Sequence, residues 1–452
     1  MKTITLLTTL LAMPAIAITV NPVKEVRLIT LDPGHFHAAL VQKKMYPQVN
    51  PVVYVYAPPG PDVELHLKRI ESFNTRPDDP TRWVEKVYTG PDYLERMLKE
   101  KPGNVVVLSG NNAKKAKYIL ACIQADLHVL ADKPMAITPA DFRLLEKAFS
   151  EARKRRLLLY DIMTERYEIT TILQRELSRH GTVFGRMEEG DPDNPAITKE
   201  SVHYLCKLVA GKPLVRPPWF YDVRQQGDGV VDVTTHLVDM IQWQCFPEQA
   251  MHPREVKVLK ARRWATPITL AQFEKSTGHK QFPDYLRPYL DSNKVLQFYC
   301  NSTFTYQLRG IHAKITVEWH FEPPPGGFDT HYSQMRGTKA TLFVRQGKEQ
   351  NYKPTLYVEK RARIPDEEFE RALRAALADI AKDWPGIDAK KNAPGVWEIL
   401  IPDKYKVGHE AHFAEVTEKY LGFLAAGKMP LWEEQNMITK YATIMQAYKL
   451  CR

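Results

Sequence analysis

Between residues 26 and 160 the chain alternates short β-branched or apolar runs with stretches of helical period, and that rhythm leaves few folds open. Residues 26–31 read as a buried strand, and 51–56, 104–109, 128–131 and 157–160 as further strands, with Val87-Tyr88 preceding a helix. Between them lie an apolar helix start at Ala38, a helix over 64–72 with Leu65, Leu67 and Ile70 as its apolar residues, and helices over 91–98 and 113–125. A further helix is capped by Thr138, with Pro139 at its first position and Asp141 three residues on. A strand that hands over to a helix before the next strand must run parallel to it, because only a crossover returns the chain to the same edge. The expectation is a doubly wound parallel sheet with helices on both faces.

After Asp161 the rhythm changes. A helix over 168–178 leads to Gly181-Thr182-Val183-Phe184-Gly185, and β-like runs follow at 256–259, 295–304, 313–321 and 341–344, some separated by turns such as Pro323-Pro324-Pro325-Gly326-Gly327. That pattern predicts an α+β part with a large open antiparallel sheet, closed by amphipathic helices over 409–424 and 433–449. A chain of 452 residues exceeds one ordinary core, so the division expected is 24–160 and 161–452. Residues 1–17 read as a signal peptide: Lys2, an apolar run over 4–16, and Ala15-Ile16-Ala17 as a cleavage site. The expectation is an exported, periplasmic protein without a membrane span. The net charge of +10 forms no stripe interleaved with aromatics, so no nucleic-acid partner is expected. Five cysteines show neither metal-ligand nor framework spacing.

Three constellations could carry chemistry. In the first part, residues 128–134 (His-Val-Leu-Ala-Asp-Lys-Pro) end a strand in a charged amine, Lys133, at the sheet edge where open α/β sheets bind ligands. In the turn 32–37 (Asp-Pro-Gly-His-Phe-His) only Gly34 meets the demand of a phosphate-binding turn, and the acid expected at the end of the second strand is missing. In the second part, glycines at 227 and 229 open a helix on which Asp232 and His236 fall one turn apart, a spacing suited to proton transfer. A metal would need further ligands that no His-x-x-x-His or Cys cluster supplies, so no metal site is expected. Asp239, one turn beyond His236, fits a helix-stabilising role. Just upstream of the glycines, Arg216-Pro217-Pro218-Trp219-Phe220-Tyr221-Asp222 offers aromatic faces beside an arginine and a carboxylate, as a sugar ring requires.

In their order along the chain these motifs resemble the Gfo/Idh/MocA oxidoreductases. Residues 128–134 are similar to the family's H-V-x-x-E-K-P, with Asp132 in place of glutamate. Glu165-Arg166-Tyr167 stands where the family has N-R-x, 219–239 resembles W-x-x-D…G-G-G-x-x-x-D-x-G-x-H-x-x-D, with Asp228 and Thr234 in place of glycines, and Gly337-Thr338-Lys339-Ala340-Thr341-Leu342 resembles G-T-K-G-x-L. The resemblance implies a Rossmann-type first domain and NAD or NADP held by Gly34, His35, Phe36, Ser109, Asn111, Asp132 and Pro134, with a cis Lys-Pro bond near the nicotinamide. It implies that Lys133 polarises a sugar hydroxyl, that His236 takes its proton and that Asp232 positions His236 or the substrate. Arg166, Trp219, Tyr221 and Asp222 would then contact a small carbohydrate substrate. Export combined with a single-glycine turn points to a tightly bound cofactor. Two alternatives stay open: an NAD-dependent glycosidase or lyase working through a transient keto-sugar, and a catalytically silent carbohydrate-binding protein. The exposed face of the second-domain sheet suits pairing with a second copy.

Overall fold

The computed structural model describes residues 16–209 and 212–451; the proposed leader falls almost wholly outside them. The first sheet has six parallel strands in the order β4-β3-β2-β5-β6-β7. These are β2 (Leu28–Leu31), β3 (Val52–Ala57), β4 (Val84–Thr89), β5 (Val105–Leu108), β6 (His128–Asp132) and β7 (Leu159–Ile162), while β1 (Ala17–Thr19) lies outside the sheet. Strands β2, β5, β6 and β7 are buried along their whole length, as strands covered on both faces must be. The crossovers are α1 (His37–Leu40), α2 (Pro61–Thr75), α3 (Tyr93–Glu100), α4 (Asn112–Gln124) and α5 (Pro139–Arg155). Asn111 caps α4 by accepting from the Ala113 amide, and Thr138 caps α5 by accepting from the Asp141 amide. Chain direction across the sheet reverses between β2 and β5, so the ligand crevice of this fold lies over their carboxyl ends.

The helix expected from Ala38 is a single turn. Beyond Leu40 the Gln42 carbonyl accepts from Trp83 Nε1 and the Lys43 carbonyl from Arg76 Nη2, so side chains take what helical amides would otherwise use.

The rest of the chain builds a nine-stranded sheet. After α6 (Ile169–Arg179) come β8 (Ile197–Tyr204) and two short paired strands, β9 (Leu208–Val209) and β10 (Lys212–Pro213), then α7 (Thr234–Cys245). There follow β11 (Val256–Ile268), α8 (Leu270–Thr277), β12 (Leu296–Leu308), β13 (Ile311–His320), β14 (Thr330–Arg336), β15 (Ala340–Gln346) and β16 (Thr355–Lys360). Helix α9 (Asp366–Ile380), β17 (Asp388–Ala393), β18 (Val396–Leu400), α10 (His409–Ala426), β19 (Lys428–Pro430) and α11 (Leu431–Leu450) complete the fold. The strand order is β11-β12-β13-β8-β14-β15-β16-β18-β17, antiparallel except where β8 runs parallel to β13. Strand β1 pairs with β19, and α11 packs on α5 and α7, so the chain's two ends meet across the two sheets. One apolar core runs without a break from β2 and β5 through α7 and α11 to β12 and β13.

A buried ionic network fastens these layers. Arg166 Nε and Nη2 donate to Asp239 at 2.5 and 2.7 Å, and Nη1 donates to Glu433 at 2.9 Å. Lys440 reaches Asp161 at 2.6 Å and Asp239 at 2.9 Å, and Lys419 reaches Glu433 at 2.5 Å. Arg166 is thus spent inside the fold rather than on a substrate, and Asp239 does more than stabilise its own helix. The described cysteines are all free thiols, and among the described residues no helix is long and apolar enough to cross a membrane.

Candidate active site

Strand β6 delivers Asp132 and Lys133 to the crevice, and the Lys133-Pro134 bond is cis. Lys133 Nζ donates to Asp232 Oδ1 at 2.9 Å, with both side chains 11% exposed. Asp232 arrives on a loop pinned to β12: Gly229 N donates to the Tyr299 carbonyl and Ser302 Oγ donates to the Gly229 carbonyl. A Cβ on Gly229 would stand 2.4 Å from the Cys300 backbone, which is why glycine is required there. Asp228 folds the loop by accepting from the Val230 amide and pairs with Arg263. The helix therefore begins only at Thr234, two residues after Asp232. Asp232 faces Lys133 across the crevice instead of sharing a helix face with His236, which corrects the expected pairing.

The charges are set by this arrangement. Burial alone would lower the Lys133 ammonium, but the Asp232 and Asp132 carboxylates outweigh it and hold it above its usual value. Burial would raise Asp232, and Lys133 with Gln226 reverses that. His236 is pushed down to about 3 by burial and by the Lys133 charge, so its imidazole is neutral, and its Nδ1 has no hydrogen-bond partner. Glu165 pairs with His409 at 3.2 Å; this bond and the nearby His236 and His412 outweigh desolvation and hold its carboxyl well below the usual range. On the sheet, His203 Nδ1 lies 3.1 Å from Asp329 Oδ2, which also accepts from Lys207.

The turn after β2 is built from side chains. Asp32 adopts φ +49°, the left-handed conformation a glycine would supply, and its carboxylate pairs with Lys114 at 2.8 Å and accepts from Tyr118 at 2.8 Å. Gly34 and His35 amides both donate to the Ser109 carbonyl at 3.1 Å. His37 Nδ1 lies 3.0 Å from Asp132 Oδ2, and Ser109 Oγ donates to the same oxygen at 3.0 Å. Phe36 packs against both histidine rings, with centroids 4.7 and 4.4 Å away.

Other segments close the crevice from the opposite side. Trp219 Nε1 donates to Asp62 at 3.0 Å, and a Cβ on Gly34 would meet that indole at 3.2 Å. Asn111 donates to Gln225 at 2.7 Å and Asn112 to the Gln226 carbonyl at 2.7 Å. A narrow groove open to solvent remains between Gly34, Asp62 and Arg216, bordered also by Phe36, Arg69 and Phe220.

Of the residues expected to touch substrate, only Trp219 borders the crevice. Tyr221 is fully buried and shares a hydrogen bond with Ser276 at 2.6 Å, and Asp222 is consumed by Arg224 and Gln225. His37, Glu165, His409 and Asp329 had no place in the expected site. A signal for the first was present in the sequence, as a His-x-His pair at a strand end.

Residues 173–452 match the family model described as "Putative oxidoreductase C terminal domain", and residues 64–160 match "Oxidoreductase family, NAD-binding Rossmann fold". A crystal structure of a "putative oxidoreductase" from Parabacteroides merdae is 52% identical, covers 96% of this chain and 99% of its own, and superposes with a TM-score of 0.92. The chain belongs to the Gfo/Idh/MocA oxidoreductases. A 3-ketoreductase from Actinomadura kijaniata, solved with NADP and TDP-benzene, shares the fold at 12% identity, with 92% and 95% of the two chains covered and a TM-score of 0.54. The myo-inositol 2-dehydrogenase of Thermotoga maritima is 22% identical over 160 residues, 35% of this chain and 40% of that enzyme's length.

The first sheet is thus the NAD-binding Rossmann fold of this family. The matched stretch begins at residue 64, after the turn that meets the phosphates in such folds. Ser109, Asn111 and the Lys133-Pro134 peptide lie together at the carboxyl ends of β5 and β6. On the phosphate side, a single helical turn, the Asp32 carboxylate and the Trp219 indole beside Gly34 stand where a glycine-rich turn leaves the backbone bare, which narrows the approach of a pyrophosphate.

Proposed function

We propose that this chain acts on a hydroxyl-bearing carbon of a carbohydrate or polyol, as an exported NAD(P)-linked oxidoreductase centred on Lys133, Asp232 and His236. The observation that carries the reading is the largely buried Lys133–Asp232 pair at the strand end. Support for the substrate class comes from the inositol dehydrogenase and the 3-ketoreductase among the proteins it resembles. A nicotinamide ring, when bound, accepts the hydride of such a carbon. The protein's part is proton handling. The Lys133 ammonium donates to the substrate oxygen and stabilises negative charge developing there. Asp232 holds that ammonium in place, and His236 is the proton acceptor the family resemblance implies, its low basicity keeping the imidazole neutral until a substrate is bound.

A second reading is favoured by the crowded turn after β2: the same acid–base centre on a scaffold whose dinucleotide site has been given up. Denaturing the purified protein, assaying the supernatant for nicotinamide cofactor and titrating the native protein with NADH and NADPH separates the two. Released cofactor or saturable binding supports the first reading; neither leaves the second. Product analysis on glycosides then tells net oxidation from redox-neutral cleavage.

A further inference from the structure

The turn after β2 and the end of β6 bring together two imidazoles and a carboxylate. One donor atom from each of His35, His37 and Asp132 lies within 4.8 Å of the others. Donors around a tetrahedral zinc at about 2.0–2.1 Å are about 3.3 Å apart. His37 Nδ1 is 3.0 Å from Asp132 Oδ2, and His35 Nδ1 is 3.8 Å from it. The second distance is too long for a hydrogen bond; His35 Nδ1 accepts instead from the His37 backbone amide at 3.3 Å, which turns its ring toward the cluster. Both rings occupy a turn where a Rossmann fold keeps small residues for the approach of a phosphate.

The surroundings are those of a metal ligand set. Ser109 Oγ orients the Asp132 carboxylate, and the His37 ring packs 4.6 Å from Phe413, which fixes its plane. Two ammonium groups stand nearby, but Lys133 is neutralised by Asp232, and Lys115 turns to the Asp132 carbonyl and to Asn112 Oδ1. His35 keeps 21% of its side chain exposed, so the cluster has an open side.

We propose that His35, His37 and Asp132 bind one divalent first-row transition-metal ion, zinc being the best match to two imidazoles and a carboxylate. Three protein ligands leave a coordination position for water or a substrate oxygen beside Lys133, as in catalytic rather than structural zinc sites. The proposal does not depend on NAD(P) being bound.

The test uses the full-length protein stripped with chelator, titrated with Zn²⁺ by calorimetry and with Co²⁺ by visible absorption. Wild type is expected to bind one ion per chain, with the absorption of a four-coordinate Co²⁺ site. His35→Ala, at the partly exposed ligand, is expected to weaken binding at least 10-fold, and His37→Gln with Asp132→Asn to abolish the Co²⁺ spectrum. His312→Ala, at a partly exposed histidine bonded to the Glu189 carbonyl and outside the site, is expected to change neither. Should the His37→Gln protein fail to fold, His35→Ala carries the test alone. Absence of stoichiometric binding in wild type overturns the proposal, as does undiminished binding in His35→Ala. NADH titration of the same preparations reports separately on the dinucleotide reading, so either can fail without the other.

Discussion

Replacing Arg166 with methionine separates a structural from a substrate-binding role at this position. The side chain is 5% exposed and makes three hydrogen bonds to Asp239 and Glu433, which are themselves buried. The network sets three carboxylates (Asp161, Asp239, Glu433) against three cations (Arg166, Lys419, Lys440). Methionine fills much of the volume but leaves one carboxylate unbalanced, a loss of about 3–5 kcal/mol for breaking a buried pair from one side. At about 2–4 °C per kcal/mol for a 150–250-residue unit, that is a fall in melting temperature on the order of 6–20 °C. Urea denaturation followed by tryptophan fluorescence gives the loss directly, and a matching Asp239→Leu in the same chain is expected to recover part of it. An Arg166→Met protein as stable as wild type, yet impaired in binding sugars, would refute the structural assignment.

Three further outcomes follow from the packing and the charges. His128 is pushed down to about 4 by burial, and its Nδ1 accepts from the Leu158 amide at 2.9 Å. Because its folded value lies below its unfolded one, the stability it contributes is complete above about pH 6.5 and is lost as the pH falls toward 4. His128→Asn keeps an acceptor that does not titrate, so its stability relative to wild type should rise by up to about 1.4 kcal/mol per pH unit across that window, read by denaturation at several pH values. Gly229→Ala forces a Cβ onto the Cys300 backbone and should cost about 1–3 kcal/mol while displacing Asp232; an unshifted urea midpoint would contradict the close approach. Trp219→Ala removes both the bond to Asp62 and the indole over Gly34, so NADH should bind it more tightly than wild type in a fluorescence titration. Equal affinities would show that the indole is not what fills the crevice.

Strands β2, β5 and β6 were legible because they are buried on both faces and written as nearly unbroken apolar runs, as in Val105 to Leu108, whereas the edge strand β4, largely exposed, left only Val87-Tyr88 as a trace. The long strands of the second sheet showed through alternation, as in β8 and β13, although the parallel β8–β13 pairing has no local signal. Lys133 and Asp232 were both singled out, but their contact joins residues 99 apart, and helical spacing assigned Asp232 to His236 instead. Arg166, Tyr221 and Asp222 look like ligand-binding types, but Arg166 and Tyr221 are consumed by partners distant in the chain and Asp222 by Arg224 and Gln225 just after it. The one-turn α1 was illegible because side chains of Arg76 and Trp83, far along the chain, end it.

In the proposed reaction the Lys133 ammonium, held by Asp232, handles the proton. Wild type and Lys133→Met are to be incubated with a panel of polyols, sugars and glycosides, with products followed by NMR and ligand affinity measured in parallel. The account predicts a substrate on which Lys133→Met loses about 10²–10⁴-fold in turnover while still binding the ligand, the range typical of a lost acid–base group. Turnover by Lys133→Met within a few-fold of wild type on that substrate would contradict it.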